Sequence, residues 1–182
     1  MDRVIVVIPA LNPLPAVVDF VRKLQALPLA GIIVINDGSD KRYNSTFEQL
    51  KQEDCIILTH EKNLGKGRSL KTGMEYILKS AERPKGIITV GAHGQHSVLD
   101  VEQVLSSTKI FSDGIILGIR DFKASESPFL SKLQNRANSI LFELFIHKRL
   151  LDIQTGLRFI PREHLSWLSK VKGESFNYDT NM

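Results

Sequence analysis

The sequence predicts an α/β protein built on a doubly wound, mostly parallel sheet that is flanked by helices. Short apolar runs rich in β-branched residues recur along the first two thirds of the chain, and segments with helical periodicity separate them. Strands and helices that alternate at this spacing are typical of parallel sheets with right-handed crossovers. With 182 residues, of which 42% are hydrophobic, the chain is long enough for one domain with a substantial core.

The first two predicted strands are continuous apolar runs at residues 4–8 and 32–35. Such runs are typical of strands that are buried on both faces of a parallel sheet. Between them, Asn12 is predicted to cap a helix that has Pro13 at its first position, because apolar residues then recur at helical spacing. The second strand ends in the loop 36–40, Asn-Asp-Gly-Ser-Asp, which is a turn signal and also a cluster of carboxylates.

The next unit has a weak helical pattern over residues 41–54 and a third strand at 56–58. A glycine-rich basic loop at 61–68 then leads into a predicted helix over 69–81, with Ser69 as a possible cap. Such a loop can place backbone N–H groups and a lysine against phosphate. It lacks the terminal Gly-Lys-Ser/Thr of the phosphate-binding loop, so a flexible connection is the alternative interpretation.

A fourth predicted strand, residues 87–90, runs into a polar loop. Gly91 ends the strand, and residues 92–96 bring two histidines and a glutamine to its carboxyl end. Imidazole and amide groups can bind a divalent cation, and in an open α/β sheet this is the edge where ligands bind. A polar surface turn is the alternative interpretation of the same residues.

The remaining chain has a predicted helix capped by Ser97, a fifth strand at 114–119 and a long amphipathic pattern over 128–151. The last of these is basic, and a basic amphipathic helix can rest on a membrane surface. Packing of its apolar stripe on the sheet is the alternative.

Composition favours certain partners and compartments. A net charge of +4 favours anionic partners such as nucleotides, phosphates or a membrane face, but it is too small to indicate nucleic-acid binding. The single cysteine, Cys55, lies in an apolar run, which predicts a buried thiol and a reducing compartment. No signal peptide or stretch of transmembrane length is visible, so we expect a cytoplasmic protein, with peripheral attachment at the inner face of the membrane as a possibility.

Six short motifs together resemble one family in their order and spacing. They are IVVIPALN at 5–12, NDGSD at 36–40, NLGKG at 63–67, GQH at 94–96, GIR at 118–120 and DIQTGLR at 152–158. The chain resembles the family 2 glycosyltransferases, and most closely the dolichyl-phosphate and other polyprenyl-phosphate sugar synthases. The resemblance implies a GT-A fold with a Rossmann-like nucleotide-binding half, a nucleotide-sugar donor, a divalent metal (manganese or magnesium) and inversion at the anomeric carbon.

The resemblance also implies roles for individual residues. The residues expected to bind the donor are Pro9, Asn12, Asn36, Asp37, Asn63, Lys66 and Gly91, with Asp37 on the nucleobase side. Those expected to hold the metal are His93 and Gln95. Those expected to act in catalysis are Asp152, Gln154 and Arg120, with Arg120 facing phosphate. Those expected to bind the acceptor are Arg136, Thr155 and Arg158. For Arg136, a solvated helix face is an equal alternative.

Four departures from the family pattern affect the donor site. The family has aspartates at the positions of Gly91 and His93, an acidic residue at Pro13 and usually an aspartate at Asn36. Because hard cations depend on carboxylate oxygens, we expect a degenerate metal motif with weakened magnesium affinity.

Two functions follow from the sequence. The first is an inverting transferase that moves a sugar from a nucleotide donor to a polyprenyl phosphate, glycan or other cell-envelope acceptor. The second is a catalytically impaired member that binds a nucleotide, a lipid phosphate or a protein partner. An unrelated nucleotidyltransferase is a third option, and the motif at 152–158 argues against it. We expect residues 1–182 to form one domain that continues beyond Met182, because residues 176–182 resemble the start of the family's late helix.

Overall fold

The structure is a computed structural model, and it describes residues 3–118, 155–175 and 177–182. The described residues form a six-stranded sheet. Its strands are β1 (Ile5–Ala10), β2 (Gly31–Asn36), β3 (Ile56–Thr59), β4 (Gly86–Thr89), β5 (Ile116–Leu117) and β6 (Arg158–Pro161). The described helices are α1 (Ala16–Leu24), a 3-10 turn (Lys41–Tyr43), α2 (Asn44–Gln52), α3 (Lys66–Lys79), α4 (Val98–Ser107), α5 (Arg162–Leu168) and α6 (Asn177–Asn181).

The sheet order is β3-β2-β1-β4-β6-β5. Strands β1 to β4 are parallel to one another, whereas β6 is antiparallel to β4 and to β5. The predicted mostly parallel α/β sheet is therefore confirmed.

Helices cover both faces of the sheet because the central strand β1 is apolar at every position. Val6 and Ile8 of β1 belong to a core that includes residues of α1, α2 and α4. Ile5 and Val7 belong to a second core with residues of α3, α5 and α6. Successive side chains of a strand point to opposite faces, so one uninterrupted apolar run supplies both cores.

The predicted cap of the first helix is wrong. The helix begins at Ala16, after Pro15, and Asn12 lies outside it in a left-handed conformation with φ 51°. The Asn12 side-chain oxygen instead accepts from the backbone N–H of Asp40 at 3.0 Å, and its own N–H donates to the Ser39 hydroxyl at 2.8 Å. Asparagine tolerates this backbone conformation better than most residues. Asn12 therefore connects its own loop to the 36–40 loop and does not cap the helix.

Helix α3 begins at Lys66, three residues before the predicted start. Gly65 stands at the N-cap position with φ 97°, which glycine adopts without steric cost. Ser69 is therefore inside the first turn, where its hydroxyl donates to the Gly65 carbonyl at 3.3 Å. The start of α4 is as predicted, because Ser97 and Asp100 form a reciprocal capping box.

Two differences concern the far edge of the sheet. The sequence analysis assigned no strand to residues 158–161, which form β6 between β4 and β5. Of the predicted strand at 114–119, only Ile116–Leu117 is a strand in the described part. The predicted helix over 128–151 lies outside the described residues. No helix in the described part of the chain is long and apolar enough to span a membrane.

Cys55 is buried, as the sequence predicts. Burial is the main cause that raises its pKa to about 11, and the Glu53 and Asp54 carboxylates add to the effect. The thiol therefore stays protonated at neutral pH.

Candidate functional site

A cavity of about 270 Å3 opens at the carboxyl ends of β1, β2 and β4. Parallel strands end at the same edge, so the loops after them meet there. Its walls include five of the seven predicted donor residues and both predicted metal ligands: Pro9, Asp37, Asn63, Lys66, Gly91, His93 and Gln95. The sequence analysis did not assign the other lining residues, Ala10, Leu11, Gly65, Ser69, Ala92 and Ser175, to the site.

Asp37 connects the end of β2 to the loop before α3. Its Oδ1 accepts from the Leu64 backbone N–H at 2.9 Å and lies 2.7 Å from Nδ1 of His60. Its Oδ2 accepts from the Gly65 N–H at 2.9 Å. The carboxylate is nearly buried, so these partners replace the water that it loses on folding.

His60 is a site residue that the sequence analysis missed. Because a carboxylate only accepts, Nδ1 of His60 donates to Asp37, and Nε2 then lies 3.0 Å from the Thr72 hydroxyl of α3. The histidine thus links the Asp37 carboxylate to the helix that follows the cavity. One signal was available in the sequence: His60 directly follows β3, at the same edge as Asp37.

Asn12 and Asn36, the other two predicted donor residues, support the 36–40 loop instead of lining the cavity. The side-chain oxygen of Asn36 accepts from the Ser39 N–H at 2.9 Å, and Asn12 makes the two contacts to Ser39 and Asp40 described above. Neither side chain therefore lines the cavity, and both act by holding the loop that carries Asp37.

Lys66 is the first residue of α3, and its ammonium pairs with the Asp179 carboxylate. Asp179 is itself nearly buried, and its backbone carbonyl accepts from the Arg158 guanidinium at 2.6 Å. The ammonium also lies 3.3 Å from the position that a Cβ on Gly156 would take, and Nε2 of His96 lies 3.8 Å from the same position. The Lys66 side chain therefore extends from the first turn of α3 toward the 91–96 loop.

The residues at 173–175 and 177–179 pack directly on the start of α3. A Cβ on Gly67 would lie 2.6 Å from the Cβ of Tyr178, so only glycine permits this approach. The Arg68 backbone N–H donates to the Glu174 carbonyl at 3.0 Å, and the Lys71 ammonium lies 2.8 Å from the Glu174 carboxylate. This segment brings Ser175 and Asp179 to the site.

Tyr178 fixes this segment to the core. Its hydroxyl donates to the Leu168 carbonyl at 2.7 Å, and the Lys71 ammonium lies 5.2 Å from the centre of its ring. Burial, with a further contribution from the Asp179 carboxylate, raises the pKa of Tyr178 well above its usual range. The hydroxyl is therefore a donor at any physiological pH.

The 91–96 loop forms the opposite wall. His93 and Gln95 are exposed, and a Cβ on Gly91 would meet only the Gln95 Oε1 atom, at 3.5 Å. Space for a side chain at Gly91 is thus present, but glycine supplies no ligand.

The residues on this wall do not fit a hard divalent cation. Within the described ranges, no three histidine, cysteine, aspartate or glutamate side chains come together as a metal site would require. Asp37 is the one described carboxylate that lines the cavity, and its oxygens already accept from three protein donors. A neutral imidazole and an amide lack the charge that magnesium or calcium needs from its ligands.

The two predicted acceptor residues in the described part have structural contacts away from the cavity wall. The Thr155 hydroxyl donates to the Gly118 carbonyl and accepts from the Leu157 N–H, and the side chain is fully buried. The Arg158 guanidinium donates to the carbonyls of Thr155 and Asp179. The predicted residues Arg120, Arg136, Asp152 and Gln154 lie outside the described residues.

Residues 5–168 match the family model described as Glycosyl transferase family 2. The chain belongs to this family. An uncharacterized protein of Methanocaldococcus jannaschii is 31% identical over 165 residues, which are 89% of this chain and 66% of that protein. The UDP-N-acetylglucosamine--dolichyl-phosphate N-acetylglucosaminyltransferase of Methanococcus voltae is 27% identical over 188 residues, covering 93% of this chain and 74% of the relative.

Solved structures of glucosyl-3-phosphoglycerate synthase from Mycobacterium tuberculosis share the fold. The complex with phosphoglyceric acid has a TM-score of 0.72 at 16% identity, and the complex with Mn2+, uridine diphosphate and glucosyl-3-phosphoglycerate has a TM-score of 0.66 at 16% identity. Each comparison covers 98% of this chain and 63% of the synthase, so the glycosyltransferase chain described here spans less than two thirds of the synthase's length. The predicted family and GT-A fold are confirmed, and the name of the M. voltae relative agrees with the predicted branch.

Proposed function

We propose that this family 2 glycosyltransferase moves a sugar, with inversion, from a nucleotide-sugar donor to a polyprenyl phosphate or another cell-envelope acceptor. The observation that carries the proposal is the cavity at the carboxyl edge of the sheet, whose walls contain Pro9, Asp37, Asn63, Lys66 and Gly91. The relative from M. voltae is named for a dolichyl-phosphate acceptor, and the synthase from M. tuberculosis binds uridine diphosphate, which supports both halves of the proposal.

The charges of the cavity suit the departure of a nucleoside diphosphate. Negative charge develops on the diphosphate as its bond to the sugar breaks, and a fixed cation beside it stabilises that transition state. Lys66 supplies an ammonium on the cavity wall, at the positive end of the 14-residue helix α3. A phosphate acceptor is already an anion, so its attack on the anomeric carbon requires no strong general base.

Asp37 is the proposed contact for the nucleobase. Each carboxylate oxygen has two acceptor positions, so Asp37 can keep its three protein donors and still accept from an N–H of a base. Those donors hold the carboxylate in one orientation, which lowers the entropic cost of recognition.

Arg120, Asp152 and Gln154 are proposed as catalytic residues, and Arg136, Thr155 and Arg158 as acceptor-binding residues, from the family resemblance alone. Arg120→Ala is expected to weaken the binding of a nucleoside diphosphate, because an arginine contact to phosphate is lost. An unchanged affinity would show that Arg120 does not contact the phosphate.

A second candidate function is nucleotide or lipid-phosphate binding without catalysis. Gly91 and His93 stand where family members carry aspartates, and this observation favours reduced activity. The two candidates differ in turnover but share the binding of the donor.

The test combines calorimetry with a transfer assay. Uridine and guanosine diphosphates are titrated separately into the protein, and transfer is measured from UDP-N-acetylglucosamine to dolichyl phosphate. Binding with transfer supports the enzyme, and binding without transfer from any nucleotide sugar in a panel supports the second candidate. Absence of binding to both diphosphates would overturn the proposed donor site.

We also propose peripheral attachment at the inner face of the membrane, because the chain has a net charge of +4 and the proposed acceptor is a lipid phosphate. The protein is expected to sediment with vesicles that contain anionic lipid and to remain in the supernatant with neutral vesicles. Equal sedimentation with both would contradict an electrostatic attachment.

A further inference from the structure

The two oxygens of the Asp37 carboxylate differ in how many protein donors they receive. An ionised carboxylate offers about four acceptor positions, two on each oxygen. In the described part of the chain, Oδ1 accepts from the Leu64 N–H and from Nδ1–H of His60, whereas Oδ2 accepts from the Gly65 N–H alone. Oδ1 is therefore saturated. Asp37, which lines the cavity, has room for one further donor, and that donor must bind to Oδ2.

Asn63 adds a hydrogen-bond donor to the same wall. Its side-chain oxygen accepts at 3.0 Å from the Gly65 N–H, which also donates to Oδ2 of Asp37 at 2.9 Å, so the two side chains meet at one backbone group. The amide nitrogen of Asn63 makes no hydrogen bond to any residue that the structure describes. Asn63 is exposed and lines the cavity. The wall therefore presents one acceptor, on Asp37, and one donor, on Asn63.

Nucleobases differ in the hydrogen-bonding groups that they would bring to this wall. Uracil has a single N–H, at N3, between two carbonyl groups. Guanine has the N1–H between a carbonyl and an amino group, so it brings two neighbouring donors. One acceptor and one donor therefore suit uracil, whose N3–H would donate to Asp37 while a carbonyl accepts from Asn63. The guanine amino group would find no acceptor position on Asp37, and a donor buried without an acceptor lowers affinity.

From this arrangement, and resting on the proposed donor site, we propose that the donor is a uridine nucleotide and that His60 enforces this choice by occupying the acceptor position on Oδ1 that a guanine amino group would need. His60 acts through Asp37 and is therefore a positioning residue. Its side chain is 9% exposed, and its Nε2 atom lies 3.0 Å from the Thr72 hydroxyl. The ring is thus held at both nitrogens, which keeps Nδ1–H directed at Asp37.

The first test compares uridine, guanosine and inosine diphosphates by calorimetry in one buffer. Inosine diphosphate is guanosine diphosphate without the amino group, so this pair removes the difference in base size. Uridine diphosphate and inosine diphosphate are each expected to bind at least about fivefold tighter than guanosine diphosphate. A smaller ratio for either would overturn the inference and leave the proposed donor site intact. Binding of uridine diphosphate alone would assign the choice to cavity size and overturn the role of His60, and no binding at all would overturn the donor site itself.

The second test changes the donor to Oδ1. His60→Leu frees the acceptor position, so the affinities for inosine and guanosine diphosphates are expected to agree within about twofold. His60→Asn places an amide N–H near the position of Nδ1 and is expected to keep the fivefold ratio. A merely structural role would weaken both nucleotides in proportion. An unchanged ratio in His60→Leu would therefore overturn the inference.

Thr72→Val is the matched control, because it removes the partner of Nε2 and leaves Nδ1–H on Asp37. It is expected to lower the thermal midpoint and to keep the ratio, and loss of the ratio here would overturn the specific role of His60. A measurement on the unaltered protein covers a His60 variant that does not fold. Uridine diphosphate methylated at N3 is expected to bind at least about tenfold more weakly than its 5-methyl isomer, because only the first lacks the N–H. Equal affinities would overturn the inference.

Discussion

The two walls of the cavity differ in how completely the protein satisfies their polar groups. On the Asp37 wall (Asp37, His60 and residues 63–65), both carboxylate oxygens and both imidazole nitrogens have protein partners within 3.0 Å. On the Gly91 wall (residues 91–95), His93 and Gln95 are exposed, and the space beside Gly91 is open except for the Gln95 amide.

The difference affects how each wall would bind the proposed donor. A wall whose groups are fixed before binding loses little conformational entropy when the ligand arrives, so the Asp37 wall is suited to a defined shape such as a nucleobase. The Gly91 wall has no such network, and its chemistry can change through substitution at little cost to folding. The Gly91 wall has no carboxylate among its described residues, whereas the other wall contains Asp37.

The largest expected difference in stability appears when one methyl group is added to each wall in turn. Gly65→Ala places a Cβ 2.3 Å from the Glu174 carbonyl oxygen at φ 97°, and we expect a loss of about 3–5 kcal/mol from the free energy of unfolding. Gly91→Ala meets only the Gln95 amide oxygen at 3.5 Å, and a change of less than about 1 kcal/mol is expected. Urea denaturation measures both, with Gly31→Ala as a control because no atom lies within 4 Å of its Cβ position. Equal losses at Gly65 and Gly91 would remove the distinction between the walls.

The next effect tests whether Asp37 holds its wall together. Asp37→Ala leaves the His60 Nδ1–H and the Leu64 N–H without their acceptor, while the Gly65 N–H keeps the Asn63 side-chain oxygen. This change is expected to cost about 2–4 kcal/mol of unfolding free energy. Asp19→Ala is the control, because Asp19 pairs with Arg22 on the surface and such pairs contribute less than about 1 kcal/mol. Thermal denaturation compares the two variants. A loss at Asp37 no larger than the loss at Asp19 would show that the network contributes little to stability.

The third prediction converts the Gly91 wall to the family pattern. The double substitution Gly91→Asp and His93→Asp adds one carboxylate where the backbone leaves space for a side chain and one at an exposed position. We expect manganese to tighten diphosphate binding by about tenfold or more. Calorimetry in manganese and in EDTA measures the change, with Asp37 and Lys66 left intact. No response to manganese would mean that the loop does not face the diphosphate.

The smallest expected effect lies where the Gly91 wall joins α4. Ser97→Ala removes one half of the capping box with Asp100, and we expect a loss of about 1 kcal/mol in unfolding free energy. Thermal denaturation measures it, and diphosphate binding is expected to be unchanged because Ser97 does not line the cavity. A loss of binding would assign the cap a direct role in shaping the Gly91 wall.

Local patterns predicted much of this fold. The continuous apolar runs of β1 and β2 and the Ser97 cap of α4 depend on neighbours in the sequence, and all three were found as predicted. Strand β6 was missed because its four residues are a strand only through pairing with β5 and with β4, which lies 69 to 75 positions earlier. The early start of α3 was missed for a related reason, since Gly65 is required by the approach of Glu174.

The candidate site also combines features that local patterns predict with features that depend on distant contacts. Five of the donor residues named from the resemblance lie on the cavity wall, because they stand near the carboxyl ends of strands or in the segments that follow them, where backbone topology fixes position. The contact between His60 and Asp37 and the packing of residues 173–175 on α3 could not be predicted, because no local pattern encodes which distant side chains meet. Asn12 and Asn36 lie in loops that were predicted correctly, but their side chains bond to the 36–40 loop and do not line the cavity. Predicting a loop therefore does not predict which of its side chains faces the cavity.

The pair formed by Lys66 and Asp179 joins residues that are 113 positions apart in the chain. Contacts of such long range form late in folding, because closing the intervening loop costs entropy before any contact compensates for it. During synthesis the parallel strands β1 to β4 can pair before residues 173–179 have left the ribosome. We therefore expect Lys66 to gain its buried partner only after the parallel strands have paired, so this contact is a marker for the last stage of folding of the described residues.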